Sequence, residues 1–382
     1  MPNVDVGSPP LATSGNTAAS VHTDSTPPTT ELSPTAFALI EQGPYKVGVQ
    51  TITITDTARD RPLTVDVWFP IRDDVEGKPF EYTLFAGNYY RSPNAIGATP
   101  ADIAGNGPFP LVVYSHGSGG LRYVASFNTE ALASHGYIVA APDHTGNTAI
   151  DRLSNGGTTF EVTAWNRPND VRAVIDAMTD PASLEAGAFA ALVDAERIAV
   201  SGHSFGGFTA LAMAAGYTSD LGDFTPDPRV DAVIAMAPAT GDGSGRLFSD
   251  ENLADIAVPT MLIVGQDDKT TPIEPNINRP WALAHARPFY RIELVAAEHQ
   301  SFTDVCDYKD FLATLPDALP LIVDTVETLG VEGCSATDMP IERAKELTNT
   351  FTVQFLETIF RDGPPINPDT TTMPPDVVVL VK

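Results

Sequence analysis

The amino-acid sequence predicts an α/β protein: a doubly wound, mostly parallel sheet of about eight or more strands, with helices on both faces. Three observations carry that reading. Short, nearly continuous apolar runs recur from residue 108 onward, as expected of strands covered on both faces. Helical stretches alternate with them, which is the pattern of parallel strands joined by crossovers. The composition, 43% hydrophobic and 19% charged over 382 residues, is that of globular material able to bury a large core.

Taken in chain order, residues 1–40 ("SPPLATSGNT", "DSTPPTTELSPT") are rich in Ser, Thr and Pro and poor in large apolar residues. They cannot offset their ordering entropy by burial and read as a flexible leader. "KVGVQTITITD" (46–56) and "LTVDVWFPI" (63–71) alternate apolar with polar residues and predict a hairpin at an antiparallel edge of the sheet. The buried strands follow: "PFPLVVYSHG" (108–117), "YIVAAPDH" (137–144), "RIAVSGHS" (197–204), "VDAVIAMAP" (230–238), "PTMLIVGQDD" (259–268) and "YRIELVAAEH" (290–299). Helices are predicted at "NTEALASHG", "NRPNDVRAVIDAM" and "FGGFTALAMAAG" between them. Residues 300–340 read as an irregular insertion, and "PIERAKELTNTFTVQFLETIF" (340–360) as a long amphipathic helix with Pro340 in its first turn. A domain over 41–362 results, followed by a Pro-rich tail, 363–382, whose apolar end suits an edge strand.

Lys and Arg total 22 against 49 for Asp and Glu, a formal charge of −27. Such a surface repels nucleic acid and anionic bilayers, so no nucleic-acid partner is expected. No run reaches the roughly 18 apolar residues of a membrane span. The leader resembles the spacer of an exported protein, which predicts a secreted or periplasmic location with the export signal absent from this chain. A monomer is expected. Cys306 and Cys334 enclose about thirty residues, and a disulfide there would add roughly 3 to 4 kcal/mol by loop-closure entropy; two buried free thiols are the alternative.

The chemistry begins at "RIAVSGHSFGG", where Gly202, Ser204 and Gly206 form G-x-S-x-G between a predicted strand and a predicted helix. That turn lifts a serine oxygen above a sheet edge on a strained backbone. A serine hydroxyl is a weak nucleophile at neutral pH and needs a base. Of the seven histidines, only His285 and His299 follow the serine by more than one position. His285 lies in a predicted helix, whereas His299 leaves the last strand, where a base can reach the serine. Asp268, in the D-x-x-x-P of "DDKTTP", is the favoured acid to orient His299, with Asp267 the alternative. Oxyanion donors are expected from the amide of Phe205 and, in "SHGSGG", the amide of Ser118, with Gly117 and Gly119 letting the backbone curl toward substrate.

His203 and His116 flank this site and read as neighbours that steady their loops, with His203 a pocket candidate. His144 and Asp143 sit on another loop at the carboxyl edge and are candidates for lining the pocket. No H-E-x-x-H and no zinc-spaced cysteine pair is present, so no metal or cofactor is expected. The acidic, Gly-rich loop 240–252 could hold calcium or form a plain rim, and 216–229 and 300–340 are where a lid would arise.

"PFPLVVYSHGSGG", "LASHGYIVAAPDHTGNT", "NRPNDVRAVIDAM", "RIAVSGHSFGG" and "EHQSFTD" together resemble the plasma-type platelet-activating-factor acetylhydrolase and dienelactone hydrolase-like branch of the α/β-hydrolases. The resemblance spans roughly residues 45–305 and implies Ser204 as nucleophile, His299 as base, and Ser118 with Phe205 as oxyanion pair. Its acid departs from that branch: no carboxylate follows "IAMAPATG", and Asp268 instead resembles the pattern of bacterial cutinases and polyester hydrolases. Serine at position 204, in place of cysteine, argues against dienelactone hydrolysis. The expected activity is serine-dependent hydrolysis of short- to medium-chain carboxylic esters, polyesters included, through an acyl-enzyme. A lipase, phospholipase or acetylhydrolase-like lipid deacylase is the alternative, ahead of an acyltransferase or a non-catalytic binding protein.

Overall fold

The computed structural model describes residues 37–85, 88–105, 107–241, 247–316, 318–369 and 372–382. Residues 1–36 of the expected leader and 242–246 of the expected calcium loop lie outside the described residues.

The body is built on one eleven-stranded sheet. Its strands are β1 (Lys46–Asp56), β2 (Arg61–Ile71), β3 (Pro79–Phe85), β4 (Asn88–Gly97), β5 (Phe109–Ser115), β6 (Ile138–Pro142), β7 (Val193–His203), β10 (Ala232–Met236), β11 (Thr260–Gly265), β12 (Phe289–Leu294) and β13 (Val377–Val381). A separate small hairpin supplies β8 (Tyr217–Ser219) and β9 (Gly222–Phe224). The order across the sheet is β13-β12-β11-β10-β7-β5-β6-β2-β1-β4-β3. From β12 to β6 every neighbouring pair is parallel, while β13 and β2 close that block with antiparallel pairing. β13 is the edge strand expected of the tail.

Period-two side-chain alternation divides the core. On β5, Leu111 and Val113 face one hydrophobic cluster and Val112 and Tyr114 the other. On β10, Val233 and Ala235 oppose Ile234 and Met236 in the same way. Helices α3 (Phe160–Thr179) and α5 (Phe205–Ala215) cover the first face, and α1 (Ser126–Ser134) and α11 (Ile341–Phe360) the second. Each fully buried Leu, Ile or Phe contributes roughly 1.5 to 3 kcal/mol of transfer free energy, which is why these runs carry almost no polar residue.

Three expectations are corrected. The first hairpin is not the sheet edge: β4 pairs parallel to β1 over Ala95–Gly97, and β3 pairs antiparallel to β4 and forms the edge. The indole of Trp68 donates to the Tyr82 hydroxyl at 2.8 Å, and that hydroxyl donates to Glu130 at 2.7 Å, tying this extension to the core. Nor is 300–340 irregular. It holds α9 (Val305–Ala313) and α10 (Pro320–Leu329), a helical pair stapled at its base by the Cys306–Cys334 disulfide, Cα atoms 5.4 Å apart. Pro340 caps α11 rather than entering its first turn.

The staple closes a segment of 28 residues' separation, worth roughly 3 kcal/mol in unfolded-state entropy. The double substitution C306A/C334A is expected to lower Tm and to raise amide exchange across 305–334 ahead of the sheet. Exchange unchanged in that segment would contradict the assignment of the disulfide as its anchor.

Candidate active site

Ser204 stands between β7 and α5 with φ 57° and ψ −117°, outside the comfortable region for a residue bearing Cβ. The surrounding glycines make that turn possible. A Cβ at Gly206 would lie 1.8 Å from the Ser115 carbonyl oxygen, and one at Gly202 would lie 2.3 Å from that of Gly206. α5 therefore approaches β5 more closely than any side chain allows. The Ser204 amide donates to Met236 at 2.9 Å and its carbonyl accepts from Ala239 at 3.1 Å, so the neighbouring strand holds the strained residue on both sides.

His299 opens a short turn after β12, and its Nε2 lies 2.9 Å from Ser204 Oγ. Its Nδ1 donates to Asp268 Oδ2 at 2.8 Å. Asp268, not the exposed Asp267, faces the histidine. Burial pushes the Asp268 carboxyl up, but hydrogen bonds from His299 and Thr271 outweigh it and hold the group below the usual carboxylate range. Nδ1 is thus kept protonated by an anion and Nε2 is left to accept the serine proton. Lys269 pairs with Glu298, linking the acid's loop to the histidine's loop.

The loop after β5 faces the same serine. The amides of Gly119 and Gly120 are spent on Asn147 and Gly117 carbonyls, at 3.1 and 3.0 Å. The Ser118 amide makes no backbone bond among the described residues, and the Phe205 amide, first in α5, has no intrahelical acceptor. Ser118 lines the same cavity as Ser204, and Phe205 follows Ser204 directly in the chain.

Beneath this loop lies Arg167 of α3, fully buried. Its guanidinium donates to the His116 carbonyl at 2.6 Å, the Gly117 carbonyl at 2.9 Å, and Asn147 Oδ1 at 2.7 Å. It also sits 5.0 Å from the Phe205 ring centroid. Because the Gly117 carbonyl and the Ser118 amide share one trans peptide plane, turning that carbonyl onto the cation points the amide the opposite way. Burial draws the guanidinium down to about 9.

A cavity of about 400 Å³ opens above Ser204 and His299. Gly117, Ser118, Gly119 and His203 line it. His203 also donates from Nε2 to the His299 carbonyl at 2.9 Å and so braces the loop that carries His299. Leu312 of α9 and Ile322, Val326 and Leu329 of α10 form an apolar wall, which places the lid candidate 300–340 at the cavity. The β8–β9 segment is not part of that lining. His144 is corrected: it is fully buried, its Nε2 2.8 Å from Ser115 Oγ and its Nδ1 3.0 Å from Asp170, and it does not reach the cavity. Asp143 pairs instead with Arg122 at 2.7 Å. His116 is also buried, and His285 is exposed just beyond a helix end.

Sequence reasoning missed Thr271 and Arg167. Thr271 donates its amide to Asp268 Oδ1 at 2.7 Å and places its hydroxyl 2.8 Å from Oδ2, a local turn that its spacing of three from an aspartate could have signalled.

Compared with known proteins, residues 92–254 match the chlorophyllase family model. Cutinase 2 of Thermobifida cellulosilytica is 25% identical over 214 residues, 56% of this chain and 65% of that protein. Cutinase cut1 of Thermobifida fusca is 25% identical over 214 residues, 53% of its length. Chlorophyllase-2 of Arabidopsis thaliana is 28% identical over 179 residues, 44% of this chain and 48% of its own. The chain thus spans less than two thirds of the length of each of these three relatives. Among solved structures, a ferulic acid esterase from Streptomyces cinnamoneus superposes with a TM-score of 0.62 over 90% of this chain and 98% of that one, at 24% identity. The fold is that of the α/β-hydrolases. Its similarity lies on the cutinase and chlorophyllase side of that fold.

Two predictions follow from the buried polar groups. R167M is expected to lower kcat about 100-fold with little change in KM, and R167K to recover part of it, since the loss falls on transition-state donors; equal losses in kcat/KM through KM alone would contradict this. Burial, aided by Arg167, draws His144 from 6.5 down to about 4, and burial draws His203 to about 3. Below pH 6.5 the unfolded chain binds a proton at each that the native state refuses, so stability is full above 6.5 and falls with acid. The slope is roughly 1.4 kcal/mol per pH unit per histidine down to about pH 4. Calorimetric melts from pH 7.5 to 4.5 should show that decline, and a flat profile would refute it.

Proposed function

We propose that the protein is a serine carboxylic-ester hydrolase. The observation that carries this reading is the continuous relay from Ser204 Oγ through His299 to Asp268. Ser204 attacks the acyl carbonyl while His299 Nε2 takes its proton, and the amides of Ser118 and Phe205 receive the charge of the tetrahedral oxygen. His299 then returns the proton to the leaving alcohol. Water, deprotonated by the same imidazole, releases the acid from the acyl-enzyme.

The cutinase relatives support ester substrates of cutinase-like type, and the apolar wall of α9 and α10 suits short- to medium-chain acyl groups and the repeat units of polyesters. A lipid-deacylase reading, with phospholipids or acetylhydrolase-like substrates, draws on one further feature: Leu319, Leu321 and Leu329 are exposed on and beside α10, and Leu329 also lines the cavity. The disulfide fits an oxidising, extracellular or periplasmic setting, and no helix among the described residues is long and apolar enough to cross a membrane.

S204A should lower p-nitrophenyl butyrate hydrolysis by about 10⁴-fold or more and abolish labelling by a fluorophosphonate probe, and D268N should cost about 10³- to 10⁴-fold in kcat. Hydrolysis that survives S204A would sink the reading. Profiles over acetyl to palmitoyl esters, a phospholipid and a polyester film separate the two substrate classes.

A further inference from the structure

The cavity above Ser204 has the opposite electrostatic character to the chain that surrounds it. The protein carries 49 acidic residues against 22 basic ones, yet no Asp or Glu is among the described residues lining this cavity, and Arg152 is its one Lys or Arg.

Arg152 is seated there by construction of the loop beneath it. Its Nη2 donates to Ser118 Oγ at 2.9 Å. A Cβ on Gly119 would fall 2.2 Å from its Nε and 2.6 Å from its Cζ, so a side chain at 119 would push the exposed guanidinium out of this position. Gly119 also takes φ 67°, which fits the same residue. The adjacent acid does not neutralise the arginine: Asp151 accepts from the amides of Gly146 and Thr148 and from the Thr148 hydroxyl. Arg152 has no ion pair among the described residues. A guanidinium with spare N–H groups, bonded to Ser118 in the lining it shares with Ser204, can offer two parallel hydrogen bonds to a carboxylate.

We propose that Arg152 is a specificity residue for esters that carry a free carboxylate on the same molecule, the half-esters of dicarboxylic acids, with the apolar wall of α9 and α10 taking the chain between the two carboxyl groups. This rests on the ester-hydrolase reading and deepens it by naming the substrate class.

The test compares monoethyl adipate with diethyl adipate in two readouts. For turnover, the ratio of kcat/KM for half-ester to diester is expected to fall about 10-fold or more in R152Q, to invert further in R152E, and to be largely kept in R152K. If R152Q lowers both esters by the same factor, Arg152 only braces the oxyanion loop and the proposal is wrong. It is equally wrong if the ratio does not move. For binding, calorimetric titration of S204A and S204A/R152Q removes chemistry from the measurement: half-ester affinity should drop about 10-fold in the double variant, with diester affinity the reference. Turnover that persists in S204A, beside an Arg152-dependent binding difference, would sink the hydrolase reading and leave the carboxylate site standing.

Discussion

A buried guanidinium, Arg167, with no carboxylate in direct contact among the described residues is the constraint around which this end of the molecule is organised. Arg167 cannot shed its charge cheaply, and an unsatisfied buried cation would cost several kcal/mol. It is satisfied by carbonyls of the β5 loop and by Asn147, so the loop has little freedom to lie any other way. Asn147 then uses its own carbonyl to hold Gly119. Burial favours neutral forms of His116 and His144, and Arg167 pushes both the same way. Asp170, held down at about 2 by His144 and Arg61 against its own burial, returns the negative charge one shell away. The path of the β5 loop is thus tied to solvating one cation without water.

The strain at Ser204 has a similar logic. A positive φ at a residue with Cβ costs of order 1 to 3 kcal/mol, and it persists because close packing on both sides leaves no alternative. Gly202 and Gly206 allow α5 and β5 to meet, and backbone bonds from Met236 and Ala239 grip the residue between them. Relaxing the turn would break those bonds and open a void in the tightest part of the core, a larger loss than the strain itself.

How much of this was legible in the sequence depends on whether the governing forces are local. Ser204, Asp268 and His299 could be read because each leaves a strand at the same edge of a parallel sheet, and strand ends are marked by short apolar runs. The β3–β4 extension was not legible: β4 contains Arg91, Pro93 and Asn94, and it joins β1 over three residues only. α10 was overlooked between a proline and a glycine, although Ile322, Val326 and Leu329 keep a helical spacing. Arg167 gave no signal, because an arginine on an amphipathic helix is ordinarily solvated. Its partners lie some twenty to fifty positions away in the chain, so its burial is a tertiary fact. His144 was misplaced for the same reason; a histidine at a strand's carboxyl end points into the cleft or under it according to residues the local sequence does not contain.

Charge shows the same separation between global and local effects. A net charge of −27 makes the surface as a whole repel anions, but that repulsion is screened beyond a Debye length of about 8 Å at physiological ionic strength. What an anion feels once inside the cavity is set by nearer groups, and those are a guanidinium, two imidazoles, hydroxyl and amide side chains and an apolar wall. Added salt weakens the distant repulsion and the near attraction together, so its net effect on an anionic ligand has no fixed sign. Changing one side chain at constant ionic strength alters only the near part. For a strongly acidic protein with one cation in its cleft, substitution therefore reports on recognition where salt dependence cannot.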